Sequence, residues 1–148
     1  MTELSDIKNF RQVNPRLFTS GQPTEEQLIL LRDSGVEVVI NLGLHDDPSY
    51  SLKDERGSVL SLGMEYIHIP VDFKHPTRED LRKFIAAMHA HENQHVLVHC
   101  AANYRVSAFL GIYLHKVKGW SKEDAFAQLY SLWTPNAVWK KFILVNIK

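Results

Sequence analysis

Cys100 and Arg105 are the residues best placed to do chemistry in this sequence. Cys100 is the single thiol among 148 residues, and four residues separate it from the guanidinium. The run around them reads Val96-Leu97-Val98-His99-Cys100-Ala101-Ala102-Asn103-Tyr104-Arg105-Val106-Ser107. Its first four residues predict a buried strand, the turn falls at Cys100–Arg105, and a helix is expected from Val106. Backbone N–H groups of such a loop converge on one point, and the helix terminus adds positive potential there. A thiol in that field ionises more readily than a free one. The same amides cradle a tetrahedral oxyanion, and Arg105 offers a planar fork that matches two phosphate oxygens. Nucleophile, amide nest and bidentate clamp are what phosphoryl transfer to sulfur requires. Cys100 is therefore the candidate nucleophile and Arg105 the clamp. Ala101, Ala102, Asn103 and Tyr104 line the loop, and His99 orients it through its ring nitrogens.

Positioning these groups takes a sheet. Arg16–Ser20 predicts a short strand that stops at Gly21-Gln22-Pro23. Thr24 with Gln27 three residues on forms a capping-box pattern, and a helix follows to about Ser34, with Gly35 beyond it. Val36–Asn41 is a β-branched strand, Asp54–Leu62 a short helix closed by Gly63, and Met64–Pro70 another strand. Thr77 with Asp80 starts a helix running to about His91. After Cys100–Arg105 come helices over Val106–Lys118, Lys122–Ser131 and from Ala137 onward. Alternating strands and helices predict one α/β domain over residues 1–148, with a mostly parallel sheet of four to five strands flanked by helices. Ligands of such folds bind where the strand-to-helix loops meet, which is where Cys100 falls.

Composition narrows the function. Seventeen basic and seventeen acidic residues leave no formal net charge, so bulk charge gives no support for nucleic-acid or anionic-membrane binding. No apolar run is long enough to span a bilayer, and MTELSDIKNFRQV has no signal-peptide pattern. One cysteine excludes an internal disulfide and a Cys-rich zinc site, which fits a reduced, cytoplasmic setting. Of His89, His91 and His95, the last two straddle an expected helix end rather than sharing a helical face, and no carboxylate or thiol completes a set, so no metal is expected. Trp120, Trp133 and Trp139 read as packing residues, and Asp46-Asp47 as a polar loop.

At His99-Cys100 and Arg105 the sequence resembles the protein tyrosine and dual-specificity phosphatase superfamily. The signature of that superfamily is His-Cys, five residues, Arg, then Ser or Thr. Here the loop is one residue shorter, Asn103 stands nearest the usual glycine, and Val106 displaces the hydroxyl to Ser107. This shortened form is similar to a bacterial phosphatase-like branch related to the domain of beta-lactamase-hydrolase-like proteins. Ser20-Gly21-Gln22-Pro23, Val39-Ile40-Asn41-Leu42 and Ile69-Pro70-Val71 agree with it, over about residues 10–140. The resemblance implies a protein tyrosine phosphatase-like fold and a cysteinyl-phosphate mechanism acting on a phosphoprotein or small phosphoester, with no cofactor. It also implies a general acid after Ile69-Pro70-Val71, where Asp72 stands and Asp80 is the fallback. Ser107 would help expel the thiolate.

Two other readings share the loop. Four residues between Cys and Arg is also a spacing of rhodanese-like sulfurtransferases, where a persulfide forms on the cysteine. A non-hydrolysing phosphate-binding module would need only the amides and Arg105.

Overall fold

The β-branched runs form the middle of a five-stranded sheet in the computed structural model, which describes residues 3–148. The strands are β1 (Arg11–Asn14), β2 (Leu17–Ser20), β3 (Val38–Asn41), β4 (Glu65–His68) and β5 (Val96–His99), ordered β1-β2-β5-β3-β4 across the sheet. Only β1 is antiparallel to its neighbour; β2, β5, β3 and β4 run parallel. The helices are α1 (Glu25–Asp33), α2 (Glu55–Ser61), α3 (Arg78–Ala90), α4 (Tyr104–Lys116), α5 (Lys122–Ala125), α6 (Ala127–Leu132) and α7 (Ala137–Asn146). The expected fold class, a mostly parallel sheet flanked by helices, is the one observed.

Alternation along each strand builds two cores, because successive side chains leave opposite faces of a sheet. Leu17, Val38, Ile40, Val96 and Val98 pack with Phe84 of α3, Phe109 of α4 and Trp139 of α7. Phe18, Val39 and Leu97 pack on the other face with Leu28 and Leu31 of α1 and Val59 of α2. Helix α4 is buried continuously from Arg105 to Leu114, so the helix that follows the cysteine loop is fixed by the core along most of its length. The parallel register then aligns the strand ends. Ser20 lies beside His99, His99 beside Asn41, and Asn41 beside His68, so four polar residues share one rim.

Local chemistry sets several boundaries. Thr24 Oγ1 accepts from the Gln27 amide at 3.1 Å while Gln27 Oε1 accepts from the Thr24 amide at 3.0 Å, completing the capping box. Gly35 follows α1 with φ +101°, a conformation costly for residues with a Cβ. Three expectations need correction. Strand β1 was not anticipated, since its four mostly polar residues alternate between partial and full exposure at a sheet edge. The segment expected as one helix over Lys122–Ser131 breaks at Phe126 into α5 and α6. Helix α4 begins at Tyr104 rather than Val106, which puts Arg105 inside its first turn.

None of the helices among the described residues is long and apolar enough to cross a membrane. His89, His91 and His95 face different carboxylates, Glu92, Glu65 and Glu37 respectively.

Candidate active site

Strand β5 ends at His99, and the buried Cys100 is the first residue beyond it. The chain turns at Asn103, whose backbone is left-handed at φ 69°, a region asparagine tolerates better than most residues. Its side-chain Nδ2 donates to Thr19 Oγ1 at 3.0 Å and to the Asn9 carbonyl at 2.9 Å. Helix α4 therefore starts without a side-chain cap. Ser107 is the first residue of the turn whose amide is satisfied, by the Asn103 carbonyl at 3.0 Å. Among the described residues, the amides of Ala101, Ala102, Tyr104, Arg105 and Val106 have no hydrogen-bond partner, while that of Asn103 faces the Ser20 carbonyl in the Gly21–Ala102 bridge. Successive free N–H groups at a helix N-terminus form an anion nest.

The outer side of the loop is held by backbone contacts. Gln22 N donates to the Ala101 carbonyl at 3.0 Å, and Asn9 Nδ2 donates to the Ala102 carbonyl at 2.9 Å. Gly21 pairs with Ala102, and a Cβ on Gly21 would lie 2.6 Å from the Ala101 carbonyl oxygen. Only glycine allows this approach, which gives the Ser20-Gly21-Gln22-Pro23 motif its physical reason.

Arg105 is 5% exposed. Its Nη1 donates to the Val71 carbonyl at 2.8 Å and its Nη2 to the Tyr50 hydroxyl at 3.3 Å. The rings of Tyr50 and Phe73 lie 5.8 and 6.0 Å from the guanidinium carbon. Among the described residues no carboxylate forms an ion pair with it. A buried cation held only by neutral acceptors favours an anion at its free edge. Asp47, in the loop after β3, is held below the usual carboxylate range by the Ser49 hydroxyl and amide, with a smaller contribution from the Arg105 charge.

Asp72 is exposed, and its Oδ1 accepts from the Lys74 amide at 2.9 Å. The carbonyls on either side of it are anchored: Val71 by Arg105, and Phe73 by Trp139 Nε1 at 2.8 Å. The loop carrying Asp72 is thus tied to Arg105 itself. Asp80 stays in the first turn of α3, its amide donating to Thr77 Oγ1.

Ser107 lies in the first turn of α4. Its hydroxyl donates to the Tyr104 carbonyl at 2.8 Å and accepts from Trp133 Nε1 at 3.0 Å. A hydroxyl has one proton, and in this arrangement it goes to the Tyr104 carbonyl. Tyr104 stacks on Trp133 with ring centroids 4.7 Å apart and 4° between planes. Trp133, expected to serve packing alone, therefore also braces the first turn of α4.

His99 is fully buried between two acceptors. Its Nδ1 lies 3.2 Å from the Cys100 carbonyl and its Nε2 2.6 Å from Glu55 Oε2. Glu55 Oε1 accepts from Gln22 Nε2 at 2.8 Å. Burial alone would raise the Glu55 carboxyl, but the His99 charge and the bonds from His99 and Gln22 hold it below its ordinary value. Glu55, Asn9, Tyr50 and Trp133 reach the loop from distant parts of the chain, and no local pattern marks them. An open cleft of about 560 Å³ lies over Ala101, bounded by Lys8, Gln22, Glu26, Tyr50 and Leu52.

The chain matches, over residues 3–136, the family described as DSP-PTPase phosphatase fused to NAD+ kinase. No curated protein matches it. A solved structure from Shewanella putrefaciens CN-32, described as a phosphatase (DUF442), is 35% identical. That likeness covers 97% of this chain and 93% of the other, with a TM-score of 0.85. The active form of Tk-PTP is 20% identical, covering 94% and 95% of the two chains at a TM-score of 0.76. P. aeruginosa TpbA is 18% identical, covering 98% and 88% at 0.74. The last two share the fold.

Proposed function

Because the chain belongs to the DSP-PTPase phosphatases, within the cysteine-dependent protein tyrosine and dual-specificity phosphatase superfamily, we propose that it hydrolyses phosphate monoesters through Cys100. The observation that carries this reading is the presence, in one loop and the first turn of its helix, of five unpartnered amides and the buried Arg105 guanidinium, which has no carboxylate partner among the described residues. Together they offer positive potential to a dianionic group beside a thiol.

In this reading the Cys100 thiolate attacks phosphorus while the bond to the leaving oxygen breaks. Asp72 gives its proton to the departing alcohol. The loop amides and Arg105 hold the three equatorial oxygens as charge builds on them. Water then attacks the cysteinyl phosphate, Asp72 takes its proton, and the thiolate leaves with its electron pair as inorganic phosphate is released. The chemistry calls for no metal, because the loop supplies the positive charge. Phosphoproteins and small phosphoesters are the substrate class.

Hydrolysis of para-nitrophenyl phosphate by the wild-type protein and its Cys100→Ser variant tests the reading. Turnover that vanishes with the thiol is expected. Turnover that survives in Cys100→Ser would sink the covalent mechanism. Thiocyanate formation from thiosulfate and cyanide, without phosphatase activity, would replace it with sulfur transfer.

A further inference from the structure

We infer that Glu55 is a positioning residue of the thiol site: by its contact with Nε2 it keeps His99 a doubly protonated imidazolium, whose Nδ1–H is donated to the carbonyl of Cys100. The inference rests on the reading of Cys100 as nucleophile and names a residue 45 positions upstream that no loop signature contains.

The argument is one of proton counting. A neutral imidazole has one N–H and one bare nitrogen. In this structure both ring nitrogens face oxygen acceptors, a carbonyl at 3.2 Å and a carboxylate at 2.6 Å. A carbonyl oxygen can only accept, so Nδ1 must carry a proton. The Nε2 contact then needs a second proton, on the ring or on the carboxyl. The amide of Gln22 donates to the other carboxylate oxygen at 2.8 Å, which favours the ionised acid and leaves the proton on the ring. His99 is 0% and Glu55 3% exposed, so water screens neither charge.

The pair has no net charge, yet its orientation matters. The cationic end adjoins the Cys100 peptide and the anionic end lies behind it. In a buried, low-dielectric setting this dipole favours negative charge beyond its His99 end, where the Cys100 peptide lies. Glu55 is supplied by the first turn of α2, outside the loop and the helix that follow β5.

Other ionisable groups face the pair and are accounted for. Tyr66 of β4 lies near Glu55. Burial first, then the Glu55 charge, pushes the Tyr66 phenol far up, so it keeps its proton. That hydroxyl accepts from Asn41 Nδ2 at 3.0 Å and meets His45 Nε2 at 2.6 Å. His45 stacks on His68 with centroids 3.6 Å apart. Burial pushes His68 below the usual imidazole range, and its Nε2 meets the Gly43 carbonyl. Arg56 covers the outer face of the Tyr66 ring. Among these groups, only Glu55 presents a carboxylate to His99.

The experiment has two arms. In wild-type protein, nitrogen-15 NMR of the imidazoles at neutral pH should show both His99 nitrogens protonated. A single protonated nitrogen at neutral pH would overturn the inference without any variant. In the second arm, thiolate ultraviolet absorbance is titrated in wild type and in Glu55→Gln, each shown folded by circular dichroism. With one cysteine in the chain the signal belongs to Cys100 alone. The midpoint should rise by about one pH unit in Glu55→Gln, a roughly tenfold loss of thiolate on the acid side. An unmoved midpoint in folded protein would reduce Glu55 to a structural residue. Both arms read His99 and the thiol directly. Failure of wild type to hydrolyse phosphate esters would therefore count against the phosphatase reading and leave this one standing.

Discussion

Asn9 and Asn103 exchange hydrogen bonds across the nucleophile loop: Asn9 Nδ2 donates to the carbonyl of Ala102, and Asn103 Nδ2 donates to the carbonyl of Asn9. Both residues have positive φ, 50° and 69°. The clamp joins the segment before β1 to the turn from which helix α4 starts. It offers a physical reason why asparagine stands at the turn. Glycine would adopt the backbone angle at less cost but would supply neither the bond to Asn9 nor the one to Thr19 Oγ1.

Substitution at this turn should separate backbone strain from bonding. Asn103→Gly keeps the left-handed geometry and loses two buried hydrogen bonds, at a cost of about 1–3 kcal/mol in stability. Asn103→Ala loses the same bonds and adds strain of about 1 kcal/mol. Asn9→Ala should weaken phosphate binding while leaving Cys100 and Arg105 in place. Denaturant midpoints and phosphate titrations measure all three. Equal stability of the glycine and alanine variants would mean that the turn relaxes.

The two residues at the centre should fail differently. Cys100→Ser should lose turnover and still bind phosphate, because the amides and Arg105 remain. Arg105→Ala should lose both, with turnover down by about 10²–10³-fold or more, and Arg105→Lys should recover little, since an ammonium cannot form the fork. Thermal shift in phosphate separates binding from catalysis. Phosphate binding that survives in Arg105→Ala would place the anion elsewhere.

Leaving-group dependence should identify the acid. Asp72→Asn is expected to slow aryl phosphates with basic leaving groups by about 10²–10⁴-fold and activated ones far less. Asp47→Asn should leave that slope unchanged, because hydrogen bonds from Ser49 and the Arg105 charge keep Asp47 ionised and without a proton to give. A steeper slope in Asp47→Asn than in Asp72→Asn would exchange their roles.

What the sequence made legible was local. The capping box at Thr24 and Gln27, the β-branched strands and the strand–loop–helix at Cys100 each rest on neighbours within a few positions. The contacts that finish the site do not. Asn9 meets Ala102 across 93 residues, Arg105 meets Tyr50 across 55, and His99 meets Glu55 across 44. No periodicity encodes such pairings. At Ser107 the sequence showed the hydroxyl but not its partners. The carbonyl of Tyr104 lies three residues back along the same helix and accepts from it. Trp133 then fills the remaining side.

Acid should expose the His99–Glu55 pair through stability as well as reactivity. The Glu55 carboxyl is held below its free value of 4.5 by the His99 charge and by bonds from His99 and Gln22, which outweigh burial. A group with a depressed folded-state pKa stabilises the fold above the unfolded value and loses that contribution as pH falls through the folded one. Wild-type stability should therefore decline below about pH 4.5 as Glu55 takes up a proton. Glu55→Gln cannot lose what it never had. At neutral pH it should be less stable by about 3–5 kcal/mol, the usual cost of breaking a buried pair by removing one partner. The gap between the two proteins should narrow on acidification, read as converging melting temperatures. Melting curves that fall in parallel from neutral pH downward would show that the carboxylate and the ring carry no linked charge, and the imidazolium assignment for His99 would fall with them.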